Sequence, residues 1–278
     1  MGDQTASVAW LNSLAELQQV KVENVQQLSA GLINQAWRVS TDQGDWMVRR
    51  NARLPDVDRE LECRILRRVA DAGLAPRVIA CSPGYQISGW VDAPAWDRAA
   101  LSSAERLDDL TRALRRLHGL PAIDLPATRW GPAIEERLAF SDSRDNPSLR
   151  ASVASLVGEL EQSSLTFDQR SLCHFDLHLG QMVGEAPVQF VDFEYARRAN
   201  PMLDLAWLAQ YHDLTPDEQL ALLASYYGGA DPQIRQRMGL ALQLVRMLEF
   251  FWLEGRSSEN PLSDGDGSRL RQLRLVLC

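Results

Sequence analysis

The segment LCHFDLHLGQMVGEAPVQFVDFEYA, residues 172–196, holds the densest set of reactive side chains in the sequence. His174, Asp176, His178 and Gln181 fall in one loop, and Asp192 and Glu194 follow a short apolar run. Separated carboxylates of this kind meet the demands of phosphoryl transfer, which needs a positioned hydroxyl, held phosphates and a metal that neutralises developing charge. One carboxylate near the acceptor hydroxyl and another on magnesium, with a hairpin between them, satisfy that division of labour. Magnesium prefers hard oxygen ligands and keeps several waters, so two protein oxygens suffice. Zinc is disfavoured, because the spacing of His174, Asp176 and His178 has no helical or CxxC context.

These residues carry a family resemblance. HFDLHLGQ followed by VDFEYA resembles the HxDxxxxN loop and IDWE-type motif of the aminoglycoside phosphotransferase and choline kinase superfamily, relatives of protein kinases. The run DFEYARRANPMLDLA (192–206) is similar to a segment of bacterial choline and thiamine kinases. GLINQAWRV (31–39) resembles their shortened nucleotide loop, with Gly31 in the turn and Asn34 at the characteristic position. The resemblance runs from about Leu28 to about Arg256.

The resemblance implies a protein-kinase-like α+β fold with a small β-rich N-lobe and a larger, mostly helical C-lobe. It also implies ATP and Mg2+ as cofactors and a small-molecule alcohol as acceptor, with thiamine and choline as the leading examples. Aminoglycoside, homoserine or amino-sugar kinase activity and a catalytically inactive nucleotide binder stay open as alternatives. Residue by residue, Asp176 becomes the base or positioning carboxylate for the acceptor hydroxyl, and His174 a support of its loop. Asp192 becomes the magnesium aspartate. Gln181 stands where the family has a metal-binding asparagine; its carbonyl is also a hard donor, on an arm one methylene longer.

Protein kinases hold the α- and β-phosphates with a lysine on the third strand. Of the 29 basic residues here only Lys21 is a lysine, and it precedes the glycine-containing turn. Arg49 in WMVRRN resembles the arginine that choline and thiamine kinases use at that place. Strand alternation puts Arg49 and Arg50 on opposite faces, with Arg49 preferred and Arg50 the fallback. The helical partner is Glu62 or Glu60, which lie about 200° apart around the helix and so cannot serve one face. Glu62 is preferred because Leu66 follows one turn on.

The elements that must position these residues fall into two parts. Alternating apolar residues mark strands around Val20, Val22 and Val25, then Trp37 and Val39, then Trp46 and Val48. DRELECRILRRVADAG reads as a helix with Leu61, Ile65, Leu66 and Val69 on one face and Gly73 at its end. RVIAC and YQISGWV read as two more strands, the second a candidate hinge for adenine or a buried connector. From Asp92 onward helices dominate. Ser102 with Glu105, Thr215 with Glu218, and Asp231-Pro232 mark helix starts. Residues 171–195 break this run with two short strands. The expected division is residues 1–91 for nucleotide binding and 92–278 for catalysis and substrate binding.

Aromatic residues cluster in FFWLEGR (250–256) and at Trp207, Tyr211 and Tyr195. Core packing accounts for most of them. The alternative is a partial cage for a cationic substrate, with Trp207, Tyr195 and Glu194 as candidate substrate residues and Asp204 either lending charge or holding the loop after Asp192.

A chain of 278 residues with a hydrophobic fraction of 45% can bury a full core. The net charge of −8 argues against nucleic acid and is compatible with a cationic substrate. No apolar run is long enough to span a bilayer, and MGDQTASVAW lacks the features of a signal peptide. The expectation is a cytoplasmic enzyme without a membrane partner. Cys63, Cys81, Cys173 and Cys278 are scattered without a CxxC pair, which argues against structural zinc and against a disulfide framework. No Walker A motif occurs, so a P-loop NTPase is disfavoured.

Overall fold

The computed structural model describes residues 9–28, 34–54, 57–93, 96–163, 168–185, 187–259 and 261–278. Gly31, the expected turn of the nucleotide loop, lies outside them. The chain divides into two compact units, Met1–Ala95 with Gln181–Tyr195, and Trp96–Gly180 with Ala196–Cys278.

The first unit is built on an antiparallel five-stranded sheet of order β1-β2-β3-β5-β4. Its strands are β1 (Val22–Leu28), β2 (Gln35–Thr41), β3 (Gly44–Arg50), β4 (Val78–Ser82) and β5 (Tyr85–Gly89). Register pairs Trp37 with Val48, Val39 with Trp46 and Val48 with Ile87, so the period-two pattern stacks one apolar face. Leu11, Leu14 and Leu17 cover that face, the last from the short helix α1 (Ala15–Gln18). Their three-residue spacing is helical, a signal that the strand-based reading of this region passes over. On the edge strand β1, Val22 and Val25 stay exposed.

Helix α2 (Arg59–Asp71) sits between β3 and β4 in sequence. Asp58 caps it by accepting from the Glu60 and Leu61 amides, and Gly73, at φ +72°, turns the chain away at its end. Cys63 on α2 and Cys81 on β4 form a disulfide with Cα atoms 5.6 Å apart. The scattered spacing argues against a disulfide framework, and this one bridge corrects that reading. The two residues are 18 apart in sequence, and it is the packing of helix against strand, not local spacing, that joins them.

The segment Gln181–Tyr195 belongs to this unit, although a division at residue 92 assigns it to the helices. The cause is backbone pairing. The Phe190 amide donates to Leu74 O at 2.8 Å, and the Gln189 side-chain amide donates to Ala75 O at 3.2 Å. Two-residue strands β7 (Met182–Val183) and β8 (Gln189–Phe190) form its hairpin.

The second unit is helical: α3 (Ala104–His118), α4 (Trp130–Phe140), α5 (Pro147–Glu161), α6 (Met202–Tyr211), α7 (Pro216–Tyr227), α8 (Pro232–Glu259) and α9 (Asp264–Leu277). Short strands β6 (Ser171–Cys173) and β9 (Arg197–Ala199) form an antiparallel ribbon. Residues 171–195 thus carry three short strands, β6, β7 and β8, rather than the expected two, and β9 follows. Thr215 and Glu218 form the expected capping box. The cap of α3 is Ser103 instead of Ser102, because Ser102 closes a preceding 3-10 turn, Arg98–Ser102. Phe250 and Phe251 of FFWLEGR pack into the core, and Glu254 is buried against the Ser141 and Ser143 hydroxyls. Among the described residues no helix is long and apolar enough to cross a membrane.

Candidate active site

In the first unit, sheet and helix deliver charge to one place. Arg49 on β3 points away from the apolar face, toward α2, where its guanidinium pairs with Glu62. Its Nη1 also pairs with Asp192 Oδ1 at 2.6 Å. Burial pulls the Arg49 pKa down, but the Asp192 and Glu62 charges outweigh it and hold the net value above the ordinary one. Arg50 faces the other way, exposed, with its guanidinium over the Trp10 ring. Glu60 is exposed on α2.

Arg59, at the start of α2, extends the network. Its Nη1 reaches Glu62 Oε2 at 2.7 Å and Glu194 Oε2 at 2.9 Å. Asn34 closes the chain by donating to Glu194 Oε2 at 3.1 Å while its Oδ1 accepts from the Ala52 amide at 2.9 Å. Three carboxylates therefore face two guanidiniums. Burial and the nearby Asp192 charge raise the Glu194 pKa, against the pull of Arg59 and Arg49.

Glu62, Asp192 and Glu194 bring ligand oxygens within 4.8 Å of one another. This all-oxygen, net-negative set fits a hard divalent cation. Glu62 and Glu194 are nearly buried against arginines, whereas the Asp192 side chain is 36% exposed. Gln181 is buried, and its backbone carbonyl accepts from the Val191 amide at 3.0 Å.

In the second unit, α6 organises the loop that carries Asp176. Asp204, in the first turn of α6, is fully buried. Its Oδ2 accepts from the His174 amide and its Oδ1 from the Phe175 amide, both at 2.8 Å. His118 Nε2 lies 3.0 Å from the same carboxylate, and His118 Nδ1 lies 2.6 Å from the Tyr226 hydroxyl. Burial raises the Asp204 pKa, but the His118 contact, then the His174 ring and the Phe175 amide, outweigh it and leave it below the usual carboxylate range. Asp204 therefore holds the loop before Asp176, not the one after Asp192, and is too deep to lend charge to a ligand.

Phe175, next to Asp176, adopts φ +66°. A bulky residue there costs about 1–3 kcal/mol and persists only where its surroundings fix it. Its amide is held by Asp204, and its ring stacks on Trp130 at 5.0 Å with the Arg197 guanidinium 4.4 Å from its centroid. Asp192 has the same φ of +66°. Among the described residues only Asp213 is a third non-glycine of this kind.

Asp176 is half-buried, and its Oδ1 accepts from the Tyr211 hydroxyl at 2.6 Å. Tyr211 stacks on Trp207 at 5.2 Å, and the His178 ring meets Tyr211 edge-on at 5.4 Å. A partly exposed carboxylate thus stands beside an aromatic wall. Glu194 and Tyr195 belong to the first unit and Trp207 to the second. Sequence reasoning missed Arg59, His118 and His212. The pairing of Arg59 with Glu194, 135 residues away, leaves no local signal.

The description "phosphotransferase enzyme family" belongs to the family model that matches residues 24–240. Choline kinase LicA from Streptococcus pneumoniae is 19% identical, with a TM-score of 0.78 over 100% of this chain and 99% of that one. A choline/ethanolamine kinase family protein from Mesorhizobium loti is 20% identical, with a TM-score of 0.75 over 99% and 94%. The GDP complex of aminoglycoside 2'-phosphotransferase-IIIa is 15% identical, with a TM-score of 0.71 over 99% and 98%. No curated protein matches the chain by sequence. The solved structures share its fold, a β-sheet region followed by a helical region.

Proposed function

The chain belongs to the phosphotransferase enzyme family, and from that premise we propose that it moves the γ-phosphate of ATP to the hydroxyl of a small cationic alcohol of the thiamine or choline type. The observation that carries this reading is Asp176 beside the Tyr211–Trp207 stack. A half-buried carboxylate at this place can orient an acceptor hydroxyl and take its proton during transfer. Aromatic faces attract quaternary ammonium and thiazolium groups, so the same wall would hold the cationic end of the alcohol. The names of the solved neighbours, choline kinase among them, support a small-molecule acceptor.

The Arg49 guanidinium, charged at every working pH, would hold nucleotide phosphates with Glu62 fixing its direction. Asp192 would hold magnesium, which when bound neutralises charge on the phosphates. Glu194 and Asn34 keep Arg59 in place beside Glu62.

The test is an ADP-release assay of the purified chain with thiamine, choline, ethanolamine, homoserine and aminoglycosides, run beside Asp176→Asn. Turnover on thiamine, choline or ethanolamine, lowered about a hundredfold or more in Asp176→Asn, is the expected result. Turnover confined to homoserine or aminoglycosides, or undiminished in the variant, rejects the reading.

A further inference from the structure

Helix α6 touches the Asp176 loop at more than its Asp204 end. At its other end stand Tyr211 and His212, consecutive residues that reach opposite ends of the loop. Tyr211 donates to Asp176 Oδ1, while His212 Nε2 accepts the Leu179 backbone N–H at 3.0 Å. The chain direction here is fixed by the helix terminus. Asp213 adopts a left-handed φ of +46°, and the Leu214 amide returns to Ala209 O at 3.0 Å, the bond that closes a helix of this type.

An imidazole nitrogen that receives a backbone N–H must carry no proton, so His212 is neutral in this arrangement. The next residue repeats the device: the Gly180 amide donates to His178 Nδ1 at 3.1 Å. A Cβ at Gly180 would meet the His178 ring at 3.0 Å, a tight contact that would require the ring to shift.

We propose that His212 is a positioning residue for the Asp176 loop, gripping it through the Leu179 amide only while its imidazole is neutral. Protonation would turn Nε2 from an acceptor into a donor aimed at another donor, and the distal end of the loop would be released. The proposal rests on the phosphotransferase reading insofar as the loop carries the reaction; the bond itself does not depend on it.

The surroundings favour the neutral ring. Burial first, then the positive charge of Arg98 from the 3-10 turn before α3, hold His212 below the ordinary imidazole range, against the opposing charge of Asp213. Arg98 is itself fixed by both oxygens of Glu218 on α7 at 2.6 Å, and Asp213 by Arg269 on α9 at 2.9 Å. On the loop side, Tyr211 beside His212 in the chain meets Asp176 and the His178 ring. With the pKa depressed, the grip is complete above 6.5 and is lost as pH falls through the lower folded-state value.

The experiment follows the Leu179 amide in the full-length protein by NMR-detected hydrogen exchange as pH is lowered, in wild type, His212→Gln and His212→Leu. A glutamine carbonyl can accept the same N–H and does not titrate. In wild type the Leu179 protection factor should fall about tenfold as the imidazole charges, as expected for one lost hydrogen bond. In His212→Gln it should stay flat, and in His212→Leu it should be low at every pH. In turnover, His212→Leu should lower kcat about tenfold with little change in nucleotide KM. His212→Gln should recover most of that loss, with its acid limb moved to lower pH.

A Leu179 protection factor that is the same on both sides of the His212 titration in wild type overturns the proposal, as does an acid limb unmoved by His212→Gln. If no alcohol is turned over, the functional reading fails while the exchange data still decide whether His212 holds the loop. The wild-type titration needs no variant, so a misfolded substitution cannot obscure it.

Discussion

Glu62 accepts from the Arg49 guanidinium within the first unit, and both side chains are less than a tenth exposed. Removing the arginine leaves Glu62 with Arg59 as its remaining cation, so the loss should fall below the about 3–5 kcal/mol of a fully unpaired buried charge. Arg49→Ala should therefore lower stability in chemical denaturation and weaken ATP binding or turnover sharply. Arg50→Ala loses only a contact over Trp10 and should stay within about 1 kcal/mol of wild type. Arg49→Lys should recover part of the loss, since a point charge cannot span Glu62 and Asp192 as a guanidinium does. Equal effects of the two alanine variants would remove Arg49 from its assigned place.

Asp192 and Gln181 differ in access to a metal. The Asp192 side chain is 36% exposed while Gln181 is buried. Asp192→Ala should abolish turnover, whereas Gln181→Ala should cost about tenfold or less. The check is a magnesium titration of ATP turnover for both variants beside wild type. A Gln181→Ala enzyme as dead as Asp192→Ala would make the glutamine a full ligand.

Asp204 sets an acid limit on the helical unit. Its folded-state pKa is depressed below the ordinary 3.8, so its contribution to stability is complete above 3.8 and is lost as pH falls through the lower folded value. Asp204→Asn, which keeps one acceptor and loses the charge, should cost about 3 kcal/mol at neutral pH. It should also flatten stability at the acid end. Urea melts at several pH values measure both; a variant curve parallel to wild type would dismiss the charge as the cause.

The Cys63–Cys81 bridge closes a loop of 18 residues between α2 and β4. A loop of that size stabilises by about 3 kcal/mol in the chain-entropy account. Thermal melts with and without a thiol reductant should differ accordingly, and Cys63→Ala with Cys81→Ala should match the reduced protein. Identical melts in both conditions would show that the bond contributes nothing.

The strand and helix order of the first unit was legible because its periodicities are clean: Trp37, Val39, Trp46 and Val48 alternate, and Ile65, Leu66 and Val69 recur at helical spacing. Period two also separates Arg49 from Arg50. Local caps such as Thr215 with Glu218 were equally readable. What escaped depends on tertiary approach. Arg59 reads locally as one more surface arginine at a helix start, yet it binds Glu62 and Glu194. Cys63 and Cys81 meet only after helix packs on strand. The left-handed backbone of Phe175 and Asp192 has no glycine to announce it, and His212 sits beyond the last motif residue of its helix.

The arginine–carboxylate network also has a history within each molecule. Its links from Arg49 to Asp192, Arg59 to Glu194 and Asn34 to Glu194 span 143, 135 and 160 residues. A nascent chain emerging from the ribosome presents Arg49 and Arg59 with Glu62 as their one carboxylate of the three, until residues 192 and 194 have been made. Contacts of such separation form late, after the entropy of closing their loops has been overcome. Domains otherwise tend to fold as units in the order of synthesis. Here a fragment ending at residue 95 carries two guanidiniums destined for burial and lacks two of the three carboxylates that neutralise them. The first unit is encoded in two pieces, and translation of the second completes the first.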